Sequence, residues 1–210
     1  MSYERLTPDN TALLMVDHQT GLANGVQTQS PVDFVNNVKA LAHWGRLYNL
    51  PTIITTSAAD GPNGPIMPAL TGLLPDATIV HRPGEVNAWD NEEFVDAVEK
   101  IGRKKLLIAG ISTEVCLALV ALSALAAGYE VYAVIDASGT WNKLVEQAAI
   151  ARMVQAGIVP ITWVAVGAEL LIDWRASTGQ AHGGVMAEFL PFSGNNYAGF
   201  MAASVASRKA

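Results

Sequence analysis

The chain has 210 residues, enough for one domain with a full core, and half of them are hydrophobic while 15% are charged. That balance points to a sheet buried on both faces or to a large buried subunit interface, and the formal net charge of −6 argues against a basic face for nucleic acid. The single cysteine excludes an intrachain disulfide, and charges and a proline near the start, with no apolar run of the roughly 20 residues a bilayer span needs, lead us to expect a soluble cytoplasmic protein with no membrane partner.

In chain order, short apolar runs alternate with longer amphipathic ones. Residues 12–16 (ALLMV) form a first predicted strand that ends at Asp17. Phe34, Val38, Leu41 and Tyr48 recur at helical spacing within 31–49, and the β-branched run 51–56 follows as a second strand. Prolines and glycines make 57–76 a long loop with one short helix near 69–74, and 78–82 (TIVHR) is strand-like. A helix over 90–103 takes Asp90 as its cap, with Glu93 three residues on. Residues 105–111 read as a buried strand, and a helix then runs from about Thr113 to Gly128. A strand at 131–136, a helix at 143–156, a strand at 161–166 (ITWVAV) and a further helix within 167–176 continue the alternation.

About six strands separated by helices predict βαβ units: an α/β, three-layer, Rossmann-like sandwich around a mostly parallel sheet. No internal repeat or interdomain linker is present. The expected organisation is one domain over 1–176, with 177–210 as an extension of it. That tail, rich in Gly, Asn and aromatic residues, breaks the alternation and reads as an arm for oligomer contacts.

Ligands of open α/β sheets bind beyond the carboxyl ends of the strands, and three reactive residues fall there: Asp17, Arg82 and Cys116. A thiol at a helix N-terminus faces unpaired N–H groups that favour the nucleophilic thiolate; the alternative for Cys116 is a small buried hydrophobe. Asp17 is either a buried general base or a loop cap. Arg82 either grips a carboxylate or lies solvated past its strand. The four histidines show no metal-ligand spacing. His18 and His81 lie beside Asp17 and Arg82, but the alternation of side chains along a strand makes them packing residues. No glycine-rich phosphate loop follows a strand, so no cofactor is expected.

LLMVDHQTGL, HRPGEVNAWDNEEF and IAGISTEVCLALVALSALAAGYEVYAVIDASGT resemble the isochorismatase-like cysteine hydrolase superfamily, and most of all its YcaC-type branch. The resemblance runs from about Pro8 to Trp174, and the segment Gly110 to Cys116 is its specific part. It implies the fold above and an Asp–Lys–Cys triad, with Asp17 as acid, Cys116 as nucleophile and Arg82 standing where the family has lysine. It further implies a non-proline cis peptide between Ile111 and Ser112 and an oxyanion hole of backbone N–H groups there and at Cys116. Gln19, Asn87 and Trp89 would line the substrate pocket by their place in the motifs; the alternative for Trp89 is a core or interface aromatic. The metal-binding branch carries an Asp/His site after the second strand; Thr56–Asp60 has no such pair here, so no metal is expected. The branch also implies a homo-octamer.

The function expected is therefore cysteine-dependent hydrolysis of a small molecule, of amide or related C–N bonds, through a covalent thioester. The rival expectation is an oligomeric assembly protein with an inherited, inactive pocket or a redox-sensing thiol. The absence of a second, resolving cysteine counts against the redox alternative.

Overall fold

Runs of aliphatic and β-branched residues form six strands in the computed structural model, which describes residues 3–207. They are β1 (Thr11–Val16), β2 (Thr52–Ser57), β3 (Thr78–Arg82), β4 (Lys105–Gly110), β5 (Glu130–Val134) and β6 (Val159–Ile161). Every pairing is parallel, and the spatial order is β3-β2-β1-β4-β5-β6. The sheet is thus wholly parallel, and β1 and β4 are wholly buried, which is why their sequences show no polar alternation.

Nine helices are described: α1 (Thr20–Ala23), α2 (Pro31–Leu47), α3 (Pro68–Leu73), α4 (Glu92–Ile101), α5 (Ala118–Ala126), α6 (Lys143–Ala156), α7 (Trp163–Leu171), α8 (Gly179–Phe189) and α9 (Pro191–Ser207). On one face of the sheet, Ala12, Leu14 and Val16 join Phe94 and Val98 of α4, Val120 of α5 and Met153 of α6 in one buried cluster. On the other face Leu13 meets α2 at Gly45. A side chain added there would stand 3.0 Å from Leu13 Cδ2, so the missing Cβ sets how closely the helix packs. Trp44 of α2 is buried beside α7 and donates from Nε1 to the carbonyl of Trp163 at 2.8 Å. Layers on both faces make the three-layer sandwich.

Local chemistry sets the element ends, twice differently from expectation. Asn91, not Asp90, caps α4, its side chain accepting from the Phe94 N–H; Ala88–Asp90 is a separate 3₁₀ turn. Residues 161–166 are not a strand: only Ile161 lies in β6, and helix α7 begins at Trp163. The cause is tertiary. Asp136, past the end of β5, accepts the Trp163 N–H at 2.9 and 3.2 Å and so caps a helix 27 residues away.

The chain divides into two compact units, one up to Leu170 and one from Leu171 on. The second holds α8 and α9 rather than irregular chain. There Trp174 packs edge-on to His182 with ring centroids 5.1 Å apart. Between Gly179 and Ser207 the only formally charged residue is Glu188. No helix among the described residues is long and apolar enough to cross a membrane.

Candidate active site

The parallel register brings the carboxyl ends of β1, β3 and β4 to one edge. Val16 lies between Thr55 and Gly110, and Arg82 pairs with Ser57. One residue later the chain turns at Asp17, whose φ of 56° is uncommon for a residue with a side chain; its N–H is held by the Thr55 carbonyl at 2.9 Å. Nη2 of Arg82 donates to Asp17 Oδ1, its Nε to Thr55 Oγ1 at 3.0 Å, and its Nη1 to the Glu85 carbonyl. Both side chains of this ion pair are fully buried.

Cys116 reaches the same place from β4. After Gly110 the Ile111–Ser112 peptide bond is cis, and Thr113–Leu117 forms a single wide π turn that leads into α5. Gly110 is needed where it stands, because a Cβ there would lie 2.9 Å from the Leu117 backbone nitrogen. Gly139, beyond β5, pins the turn: it bridges to Ile111 and accepts the Thr113 N–H at 3.1 Å.

Asp17, Arg82 and Cys116 are therefore brought together, but not with the electrostatics expected for the thiol. Burial and the neighbouring Asp17 push the Cys116 thiol well above its ordinary range; the Ser112 backbone and Arg82 pull it down and do not prevail. The expected low-pKa thiol is thus corrected: Cys116 is only 9% exposed and sits inside the π turn, beside a carboxylate. Burial also raises the Asp17 pKa, against the lowering effects of the Arg82 guanidinium and of Cys116. One carboxylate oxygen is taken by Arg82. The other, Oδ2, is buried with no conventional hydrogen-bond partner, on the carboxylate that the thiol faces.

A cavity of about 370 Å³ opens onto Asp17, Ile111, Ser112 and Cys116. That volume is at the small end of ligand sites. The three residues expected in the pocket are not on its wall, each for a visible reason. Gln19 is fully buried; its Nε2 donates to the carbonyls of Ser57 and Gly64, and its Oε1 accepts from Ser57 N, so it fastens the loop after β2. Asn87 accepts from Trp89 N and donates to Ser123 Oγ on α5. Trp89 packs edge-on to Phe94 and Tyr129. The wall is instead completed by Leu22, Val26, Val86, Val115, Thr140 and Trp141, among others. Thr140 and Trp141 lie in the loop between β5 and α6, and the rule that ligands bind beyond the carboxyl ends of strands is the sequence signal that points to that loop.

The two flanking histidines lie off the site. His18 is buried, its Nε2 donates to the Ala137 carbonyl at 2.9 Å, and burial lowers its pKa to about 4, so it is neutral at pH 7. His81 is exposed and bonds Thr56 Oγ1 through Nδ1 at 2.8 Å. Among the described residues no group of three His, Cys, Asp or Glu side chains is placed to hold a metal ion.

Comparison with known proteins converges on one family. The isochorismatase domain profile matches residues 11–165. The Escherichia coli protein named "Probable hydrolase YcaC" is 50% identical over 173 residues, which is 82% of this chain and 83% of that one. The crystal structure of the E. coli YcaC gene product, described as an octameric hydrolase of unknown specificity, superposes with a TM-score of 0.93 at 45% identity and covers 97% of this chain and 99% of its own. YcaC from Pseudomonas aeruginosa, solved with hexane-2,5-diol and covalent acrylamide, gives a TM-score of 0.92 at 49% identity, covering 95% and 98%.

Proposed function

The chain belongs to the isochorismatase family, and from that premise we propose that it hydrolyses a small carbonyl compound, an amide or related C–N compound, with Cys116 as nucleophile and Asp17 as general base and acid. The observation that carries this reading is the free Oδ2 of a buried, ion-paired aspartate on the carboxylate facing the chain's single thiol. With the thiol pKa raised and Asp17 ion-paired to Arg82, the resting pair in this reading is a protonated thiol beside a carboxylate. The thiol proton passes to Asp17 as the sulfur–carbon bond forms, so the thiolate exists only during attack.

The carbonyl oxygen becomes an oxyanion held by backbone N–H groups at Ser112 and Cys116, which border the cavity; such donors contribute about 3 kcal/mol each. Asp17 then protonates the leaving nitrogen, the C–N bond breaks and a thioester remains. Water, deprotonated by Asp17, attacks the thioester and returns the thiol. Arg82 holds Asp17 toward its ionised form through Nη2, while Nε and Nη1, donating to Thr55 Oγ1 and the Glu85 carbonyl, fix the guanidinium in place.

The covalent acrylamide in the P. aeruginosa relative supports this reading, because acrylamide captures nucleophiles such as thiols and Cys116 is the one thiol here. The test is intact mass after incubation with acrylamide, together with ammonia release from a panel of small amides. We expect a single adduct and turnover in the parent and neither in Cys116→Ala; an adduct that survives in Cys116→Ala would overturn the assignment. Asp17→Asn keeps the shape and removes the base, and we expect it to lower turnover by at least about 100-fold.

We also propose a homo-octamer, as described for the E. coli relative, with the segment from Leu171 on supplying contacts.

A further inference from the structure

The wall of the cavity carries a charge pattern that selects its ligand. Of the residues lining it only Asp17 is charged, and that charge is negative. The nearest cation, Arg82, does not line the cavity; its side chain is fully buried and directed to Asp17, Thr55 Oγ1 and the Glu85 carbonyl. The remaining wall is largely apolar, through Leu22, Val26, Val86, Ile111, Val115 and Trp141. Its polar groups are neutral. One of them belongs to Thr140, which is 1% exposed and whose Oγ1 has no hydrogen-bond partner. Its carbonyl accepts from the N–H groups of Gln27 and Thr28, and its own N–H donates to Thr28 Oγ1.

We propose that this cavity accepts uncharged acyl compounds with a short apolar chain, primary amides among them, and rejects substrates that carry a carboxylate. The proposal rests on the cysteine-hydrolase reading and narrows its substrate class. A carboxylate entering here would lose water, find no cation on the wall and face Asp17. Attack by sulfur would then add an oxyanion, a second negative charge in the same apolar space. A neutral amide meets neither obstacle. Its chain contacts the aliphatic wall, and a hydroxyl such as that of Thr140, at once donor and acceptor, suits an uncharged polar group.

The test compares iodoacetamide with iodoacetate, which differ in charge and share a leaving group. In each case a sulfur–carbon bond forms, iodide departs with the electron pair of the carbon–iodine bond, and the thiol proton is taken up by Asp17 or solvent. Rates at Cys116 of the native protein are divided by those of glutathione under the same conditions. We expect the amide-to-acetate ratio to exceed that of glutathione by at least about tenfold. A ratio equal to that of glutathione would overturn the proposal. Val86 is 61% exposed at the rim, so Val86→Lys places a cation there without opening the core. The variant should bring the ratio back toward that of glutathione, and an unchanged ratio would show that charge is not the selector. If neither reagent modifies native Cys116 while both modify the unfolded chain, the nucleophile assignment itself falls and takes this inference with it.

Discussion

At the scale of residues, the site is a buried carboxylate with a guanidinium on one oxygen and a thiol facing it. Because burial and Asp17 hold the Cys116 proton, alkylation should keep accelerating from about pH 7 to about pH 10, without the plateau a free thiol reaches just above its pKa of about 8.5. A plateau anywhere below about pH 10 in a pH–rate series with iodoacetamide would contradict the electrostatics described. Removing the cation has two effects with one cause. Arg82→Met leaves the Asp17 charge buried and unpaired, which should cost about 3–5 kcal/mol in urea unfolding. It also removes a lowering influence on Asp17, so the acid limb of activity should move to higher pH. Arg82→Lys keeps the charge but loses the planar fork that also reaches Thr55 and Glu85, and should fall between parent and Met variant in both measurements.

At the scale of elements, much was legible in the sequence because it is local. The β-branched and aliphatic runs fix the strands, and the strand-end rule finds Asp17, Arg82 and Cys116. What was not legible is set by contacts across the chain. ITWVAV has strand composition, yet Asp136 caps it into α7. Gln19 and Asn87 have the polarity of pocket residues, but distant carbonyls and Ser123 claim them. The thiol pKa is not legible in the sequence, because a helix start is visible there whereas burial beside Asp17 is not. The Asp136 cap has a measurable pH signature. Burial raises its pKa from 3.8 to about 6, against its bonds to the Trp163 N–H and neighbouring backbone. Between those values the folded state binds the proton more tightly than the unfolded chain. The contribution of Asp136 to stability should therefore fall as pH rises from about 4 to about 6, by on the order of 3 kcal/mol at most, while His18, whose pKa burial lowers to about 4, contributes in the opposite sense. Asp136→Asn keeps an acceptor for Trp163 and removes the charge. The unfolding free energy of the variant minus that of the parent cancels the other groups; it should grow as pH rises across that window and be zero or positive at pH 7, and a constant difference would contradict the assignment.

At the scale of the whole molecule, the unit from Leu171 on exposes Trp174, Phe192, Tyr197 and Phe200, all more than 60% accessible in the single chain. Such a surface, with Glu188 its only formal charge between Gly179 and Ser207, suits burial against other copies. Light scattering should give a mass several times the 22.2 kDa of one chain. Phe200→Lys should lower that mass while leaving the far-ultraviolet circular dichroism of the fold intact.

The strand order also bears on how the protein is made. β1 leaves the ribosome before the other five strands of the sheet, yet it lies between β2 and β4. While β1 waits, its Asp17 has no cation until Arg82 has been synthesised and no thiol until Cys116 follows. A nascent chain that stops short of β3 has no counterion with which to bury that carboxylate, and one that stops short of β4 leaves one edge of β1 unpaired. β1 must therefore stay accessible to water, and to chaperones, until Gly110 takes its place opposite Val16.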